Sequence, residues 1–121
     1  MSLQRFTDIR VWQQAHKLTL EVYRLTRSFS KDEMYGVTSQ LRRSCASIGA
    51  NIAEGSKKRT NKDYARFLNT AEGSLAEAEY FLTLSRDLDY LQSGEADQLI
   101  VECNDLAKRL GALRAKVDAN A

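Results

Sequence analysis

The chain has no proline and only six glycines in 121 residues. A β-rich or loop-rich fold would carry more of both at its turns. Long uninterrupted helices are therefore the expected structure. Histidine occurs once, as His16, and cysteine twice, as Cys45 and Cys103. Two thiols without a His/Cys cluster do not make a zinc site. A di-iron bundle needs Glu-x-x-His on two helices, which one histidine rules out. His16 lies beside the first apolar seam without an evident partner and reads as structural or surface. No apolar run approaches the roughly 20 residues of a membrane-spanning helix. The first residues, MSLQRFTDIR, lack the apolar core of a signal peptide. A cytoplasmic protein is the expectation, with both cysteines as reduced, buried, small hydrophobes rather than a disulfide. No nucleophile–base pairing, glycine-rich phosphate loop or metal-ligand spacing is visible. Glu72, Glu77 and Glu79 read as solvated or ion-paired groups on the flanks of a helix. The expectation is a protein that is not an enzyme, with no cofactor, no metal and no evident small-molecule substrate.

What the chain does have is patterned charge. The net charge is +2. Residues 1–62 hold 12 Lys/Arg and 5 Asp/Glu, or +7, whereas residues 63–121 hold 6 and 11, or −5. Either the acidic half meets the basic half, within the bundle or between subunits, or the basic half presents its field to a polyanion. Internal pairing is the commoner outcome on helical proteins.

Hydrophobic periodicity divides the chain into four helices within one domain, residues 1–121. The first is expected from about Asp8 to Ser28, with Thr7 as N-cap. Its seam is Val11, Ala15, Leu18, Val22, Leu25 and Phe29, at alternating spacings of four and three. Ser30 and Glu33 form a Ser-x-x-Glu capping box; the second helix begins there, or a short turn precedes it, because Gly36 weakens helix continuity. That helix is expected to reach Glu54, with Gly55 as C-cap. Thr60 and Asp63 start a third helix from about Asn61 to Asp89. Its apolar positions are Tyr64, Phe67, Ala71, Ser74, Ala78, Phe81, Ser85 and Leu88, widened by Leu68, Leu75 and Leu82. Gly73 in its middle predicts close packing against another helix. Ser93 is the expected cap of the fourth helix, whose seam is Ala96, Leu99, Cys103, Leu106, Leu110, Leu113 and Val117. Short breaks make consecutive helices antiparallel neighbours, so the fold class is all-α, an antiparallel up-down-up-down four-helix bundle.

The second helix has more faces than a monomer uses. Met34, Leu41, Ile48 and Thr38, Cys45, Ile52 form its core seam. Ala46, Gly49, Ala50 and Ala53 form a small-residue face open to close approach by another backbone. These four, with Arg42, are the candidate oligomer interface. Arg42, Arg43, Lys57, Lys58, Arg59 and Lys62 are the candidate nucleic-acid-binding set, since Lys and Arg contacts to phosphate give salt-dependent, largely sequence-independent affinity. The competing account places Lys57, Lys58 and Arg59 at the negative pole of the helix dipole. It pairs Arg42 and Arg43 with Glu54, Glu72, Glu77 or Glu79. No RNA-recognition signature with interleaved aromatics is present. Gln40, Ser44, Asn51 and Ser74 near the seams read as an inter-helix hydrogen-bond network rather than a pocket.

Several strings resemble a bacterial family. They are Phe6 with Val11-Trp12-Gln13, Tyr35-Gly36, Ser39-Gln40-Leu41-Arg42-Arg43, Ser47-Ile48, Asn51-Ile52-Ala53-Glu54-Gly55, Phe67-Leu68 and Gly73-Ser74-Leu75-Ala76-Glu77. The family is that of the four-helix bundle proteins also called 23S rRNA intervening-sequence proteins. Its usual prolines at the first break and inside helix two are replaced here by Ser30 and Gly49. The resemblance implies a cytosolic bundle that assembles into a ring-like homo-oligomer, a pentamer. It also implies genetic company with large ribosomal RNA or with retroelement reverse transcriptases. Two functions follow as expectations: a homo-oligomeric module that contacts RNA or DNA through its basic surface, or a protein-interaction scaffold without nucleic-acid contact.

Overall fold

The computed structural model describes residues 5–33 and 35–121. The expected seam position Met34 lies outside them. Four α-helices follow one another: α1, Arg10–Thr26; α2, Val37–Ser56; α3, Asn61–Asp87; and α4, Ser93–Ala119. Each helix packs on the next, α1 closes the ring against α4, and the backbones of the diagonal pairs stay apart. The cross-helix contacts run in opposite sequence directions. Trp12 faces Gly49 while Arg42 reaches Thr26. Arg86 pairs with Asp97 while Arg114 pairs with Glu72. The bundle is therefore antiparallel, up-down-up-down.

The seams explain the packing. Val11, Ala15, Leu18, Val22 and Leu25 of α1 are buried against Leu41, Cys45, Ile48 and Ile52 of α2 and Ala96, Leu99, Cys103, Leu106 and Leu110 of α4. Each fully buried Leu or Ile contributes about 1.5–3 kcal/mol of transfer free energy. On α3 the core stripe is Leu68, Ala71, Leu75, Ala78, Leu82 and Ser85. The aromatic positions expected to lead that seam, Tyr64, Phe67 and Phe81, are only half-buried, and Leu88 is exposed. The smaller residues win the axis because four helices converge there. The rings lie at the sides, where there is room.

The helix ends differ from expectation in instructive ways. Thr7 sits in a short 3-10 turn, Phe6–Asp8, and Ile9 precedes α1 without a side-chain cap. Ser30 starts a 3-10 turn over Lys31–Glu33, not α2 itself; its Oγ accepts from the Asp32 N–H at 3.2 Å. Glu33 then caps α2 from outside, its Oε2 accepting from the Val37 N–H at 3.4 Å. Its other oxygen accepts from the Tyr90 hydroxyl at 2.7 Å, tying the first connection to the third. That bond to Glu33, helped by desolvation, holds the Tyr90 phenol above its usual range. Gln92, not Ser93, precedes α4, again without a side-chain cap. Thr60 does cap α3, its Oγ1 accepting from the Asp63 N–H at 3.1 Å. Between α3 and α4, Asp89 takes φ 61°, a left-handed conformation that Asp tolerates better than most residues. The Tyr90 N–H then donates to the Ser85 carbonyl at 2.8 Å.

Two glycines have roles other than those expected. Gly55 lies inside α2 and is buried. A Cβ there would sit 2.6 Å from Phe67 Cβ and 3.2 Å from Tyr64 Cδ1. It is kept small by a close approach of α2 to α3, not by a C-cap conformation. Gly73, expected to pack against a neighbouring helix, has nothing within 4 Å of where its Cβ would stand.

Candidate interaction surfaces

The topology turns the charge asymmetry of the sequence into a property of two layers. The hairpin α1–α2 carries the basic half and the hairpin α3–α4 the acidic half. Among the described residues, no ion pair joins the two halves. Arg24–Glu21 and Lys58–Glu54 stay within the first; Arg66–Asp63, Arg86–Asp87, Arg86–Asp97, Arg109–Asp105 and Arg114–Glu72 stay within the second. The layers are joined instead by uncharged donors. Gln14 donates to Asp105 at 2.9 Å, and the Ser47 and Ser74 hydroxyls lie 2.8 Å apart. Asn51 of α2 also donates to Ser47, at 2.8 Å to its carbonyl and 3.0 Å to its Oγ. Of the four residues expected to form an inter-helix network, only Ser74 bonds across helices, to Ser47; Asn51 joins it within α2, and Ser44 bonds back to Leu41 O. Among the described residues, the two halves of one chain are not joined by direct ion pairs.

The six candidate nucleic-acid residues fall into two places. Lys57, Lys58, Arg59 and Lys62 cluster at the α2–α3 turn. Arg42 and Arg43 lie some 14 residues back along α2, roughly 21 Å at 1.5 Å per residue. Arg42 is half-buried, and none of the expected glutamates holds it. Its Nε donates to Thr26 Oγ1 at 2.8 Å, and its guanidinium lies 4.7 Å from the Tyr23 ring centroid. Glu54 is held by Lys58 at 3.8 Å and Glu72 by Arg114. Lys58 also lies 4.9 Å from the Phe67 ring centroid. Lys57, Arg59 and Lys62 are exposed, and among the described residues no carboxylate lies within 4.0 Å of their charged ends. They lie at the end of the bundle where Asn61 Nδ2 donates to the Asn120 carbonyl at 3.1 Å, so α3 begins and α4 finishes beside them.

The small-residue face of α2 forms one wall of a groove against α1. Phe6, Trp12, His16, Thr19, Leu20, Tyr23, Ala46, Gly49, Ala50 and Ala53 line it, with a volume of about 530 Å³. Trp12 is the floor: its ring stacks on His16 at 4.7 Å and 12° and meets Phe6 edge-on at 5.0 Å. A Cβ on Gly49 would lie 3.4 Å from Trp12 Nε1. Gly49 is thus buried by its own chain, whereas Ala46 and Ala50 are exposed and Ala53 half-buried. Nothing in the spacing of α2 revealed Trp12 as the residue over Gly49; only the α1–α2 crossing does. Leu20 and Tyr23 are 57% and 41% exposed, large apolar groups left in water at the rim.

Cys45 and Cys103 are fully buried, and their thiols are pushed up to about 12. Burial is the main cause for both; Cys103 adds to it for Cys45, and Glu79 and Glu102 for Cys103. Such thiols are poor nucleophiles. Among the described residues, no group of three or more His, Cys, Asp or Glu is placed to hold a metal ion, and no helix is long and apolar enough to cross a membrane.

Comparison with known proteins agrees with the fold. Residues 7–112 match the 23S rRNA-intervening sequence protein family. A crystal structure from Bacteroides thetaiotaomicron, of a protein with unknown function from the S23 ribosomal protein family, superposes with a TM-score of 0.77. That protein is 22% identical, and the match covers 86% of this chain and 97% of that one. No curated protein matches the chain.

Proposed function

The chain belongs to the 23S rRNA-intervening sequence protein family, and from that premise and its charge geometry we propose that it is a non-enzymatic, homo-oligomeric module that binds nucleic acid through the basic α2–α3 turn. The observation that carries this reading is the state of Lys57, Arg59 and Lys62. All three are exposed on one turn, and the acidic layer supplies none of them with a partner. Their combined field favours phosphate, and their flexible stems suit backbone contact rather than base reading. Repetition around a ring, five copies in the assembly that the family resemblance implies, would multiply weak contacts by raising effective concentration.

The alternative is a protein scaffold that never meets nucleic acid. It draws on Arg42, whose guanidinium is already engaged by Thr26 and Tyr23. Fluorescence anisotropy of labelled structured RNA and duplex DNA separates the two. The proposal expects both ligands to bind at low salt, and Lys57→Glu, Arg59→Glu and Lys62→Glu together to abolish binding while Arg43→Glu weakens it far less. Binding that survives the triple change rejects this turn as the site. Absence of binding at low salt leaves the scaffold.

A further inference from the structure

The groove between α1 and α2 is apolar, open and rimmed by cations. No carboxylate lines it. Arg42 lies over Tyr23 at one end, and Arg43 is three residues before Ala46 and seven before Ala50, on the same stripe of α2. Leu20 and Tyr23 stand exposed at its edge. A surface of this kind calls for an apolar anchor with an acid beside it.

The outer face of α3 has that composition. Ser74 of α3 turns to α2 and Glu72 to α4, so the residue between them, Gly73, faces outward. A side chain there would meet nothing of its own chain. The helix-weakening effect of glycine in mid-helix therefore has no return within one chain. Ala76, Glu77 and Tyr80 continue the same exposed stripe at helical spacing. Tyr80 is 58% exposed, and among the described residues no cation lies within 4.0 Å of the Glu77 carboxylate. Tyr and Arg are the side chains that most often anchor interfaces. The stripe thus offers a backbone open to close approach, an aromatic anchor and a free acid, in the layer whose charge is opposite to that of the groove.

We propose that the α1/α2 groove of one copy receives the outer face of α3 of a second copy, with Tyr80 against Leu20 and Tyr23, Gly73 and Ala76 against the Ala46–Ala50 ridge, and Glu77 beside Arg43. The occupant is a second copy because Arg43 and Glu77, which among the described residues make no ion pair within one chain, are paired this way. The two patches differ, so the contact is head-to-tail, and repetition closes a ring or grows a filament. This inference rests on the homo-oligomer reading above and names its contact surface.

The test uses the full chain and two variants at exposed positions, Ala46→Arg to block the groove and Gly73→Arg to block the stripe. Far-UV circular dichroism and thermal melting establish that both stay folded. Light scattering coupled to gel filtration then reads mass. The expected result is an oligomer for the unmodified chain and a monomer for each variant. An equimolar mixture should give a heterodimer of twice the monomer mass and nothing larger, because each variant keeps the patch the other lacks. Glu77→Arg should weaken assembly, and Arg43→Glu in the same chain should restore it. If the unmodified chain is itself a monomer, the homo-oligomer reading fails. If it is an oligomer and both variants keep its mass, this contact surface is wrong while the oligomer stands. Monomeric variants that do not pair on mixing also overturn the proposal.

Discussion

Replacing Gly55 by alanine isolates a close approach of α2 to α3. A Cβ at that position would lie 2.6 Å from Phe67 Cβ, about 1 Å inside ordinary carbon–carbon contact. Phe67 Cβ is fixed to its backbone and no rotamer change removes it, so α2 and α3 must separate locally. Overpacking of this kind costs about 1–3 kcal/mol. Against it stands the gain of about 1 kcal/mol for Ala over Gly inside a helix. With a backbone-anchored clash the upper part of the first range applies, leaving a net loss of about 1–2 kcal/mol. For a chain of this size that lowers Tm by roughly 3–10 °C. Gly73→Ala is the internal reference, because within one chain it collects the propensity gain with nothing within 4 Å to clash; with both changes made in the Ala46→Arg background, where no second copy packs on α3, its Tm should rise by a few degrees. Calorimetric or circular-dichroism melts at one protein concentration compare the two, since association adds to apparent stability. A rise for Gly55→Ala equal to that for Gly73→Ala would refute the close-approach account and return Gly55 to the role of an ordinary helix-end glycine.

Three further outcomes follow from named contacts. Thr60→Ala should cost about 1 kcal/mol, read from a urea midpoint, because it removes the Oγ1 acceptor from the α3 N-terminus. A double-mutant cycle of Ser47→Ala and Ser74→Ala should show a coupling of about 0.5–1.5 kcal/mol across α2 and α3, and strictly additive effects would mean the hydroxyl pair is idle. Both cysteines should resist a thiol reagent at pH 8 in the native protein and react at once in denaturant. Their native values lie at about 12, above the ordinary 9.0. The unfolded chain therefore loses these protons first. The corresponding stability is complete below pH 9 and is lost as pH rises toward 12. Unchanged urea midpoints across that window would contradict the burial of both thiols.

The fold was legible where the apolar period was regular. The seams of α1 and α4 are strict alternations of three and four; the buried residues of both helices lie on them apart from Thr26, while the seam positions Phe29, Leu113 and Val117 are only half-buried. On α3 the pattern contained two overlapping stripes, one aromatic and one of Leu and Ala. Hydrophobicity alone favours the aromatic one; the width of the bundle axis favours the other. Helix ends were less legible because their caps are not local. Glu33 serves α2 through a 3-10 turn, and its second oxygen is held by Tyr90, 57 residues away. Glycine was the least legible residue. Gly49 answers to Trp12, Gly55 to Phe67, and Gly73 to nothing in its own chain, distinctions that a spacing rule does not contain. For the candidate surfaces, the sequence identified the basic residues but not their division into a free turn and a half-buried arginine held by Thr26. That division depends on how α1 crosses α2.

The central claim is that the α2–α3 turn binds phosphate, and the most direct test is the salt dependence of nucleic-acid binding. Plotting log K against log salt concentration, three free cations per engaged subunit give a slope of about −2 on single-stranded RNA and about −3 on duplex DNA. The unmodified chain should show slopes at least that steep, collapsing toward zero after Lys57, Arg59 and Lys62 are all changed to glutamate. No binding at low salt, or the same slope with and without those three cations, would contradict it.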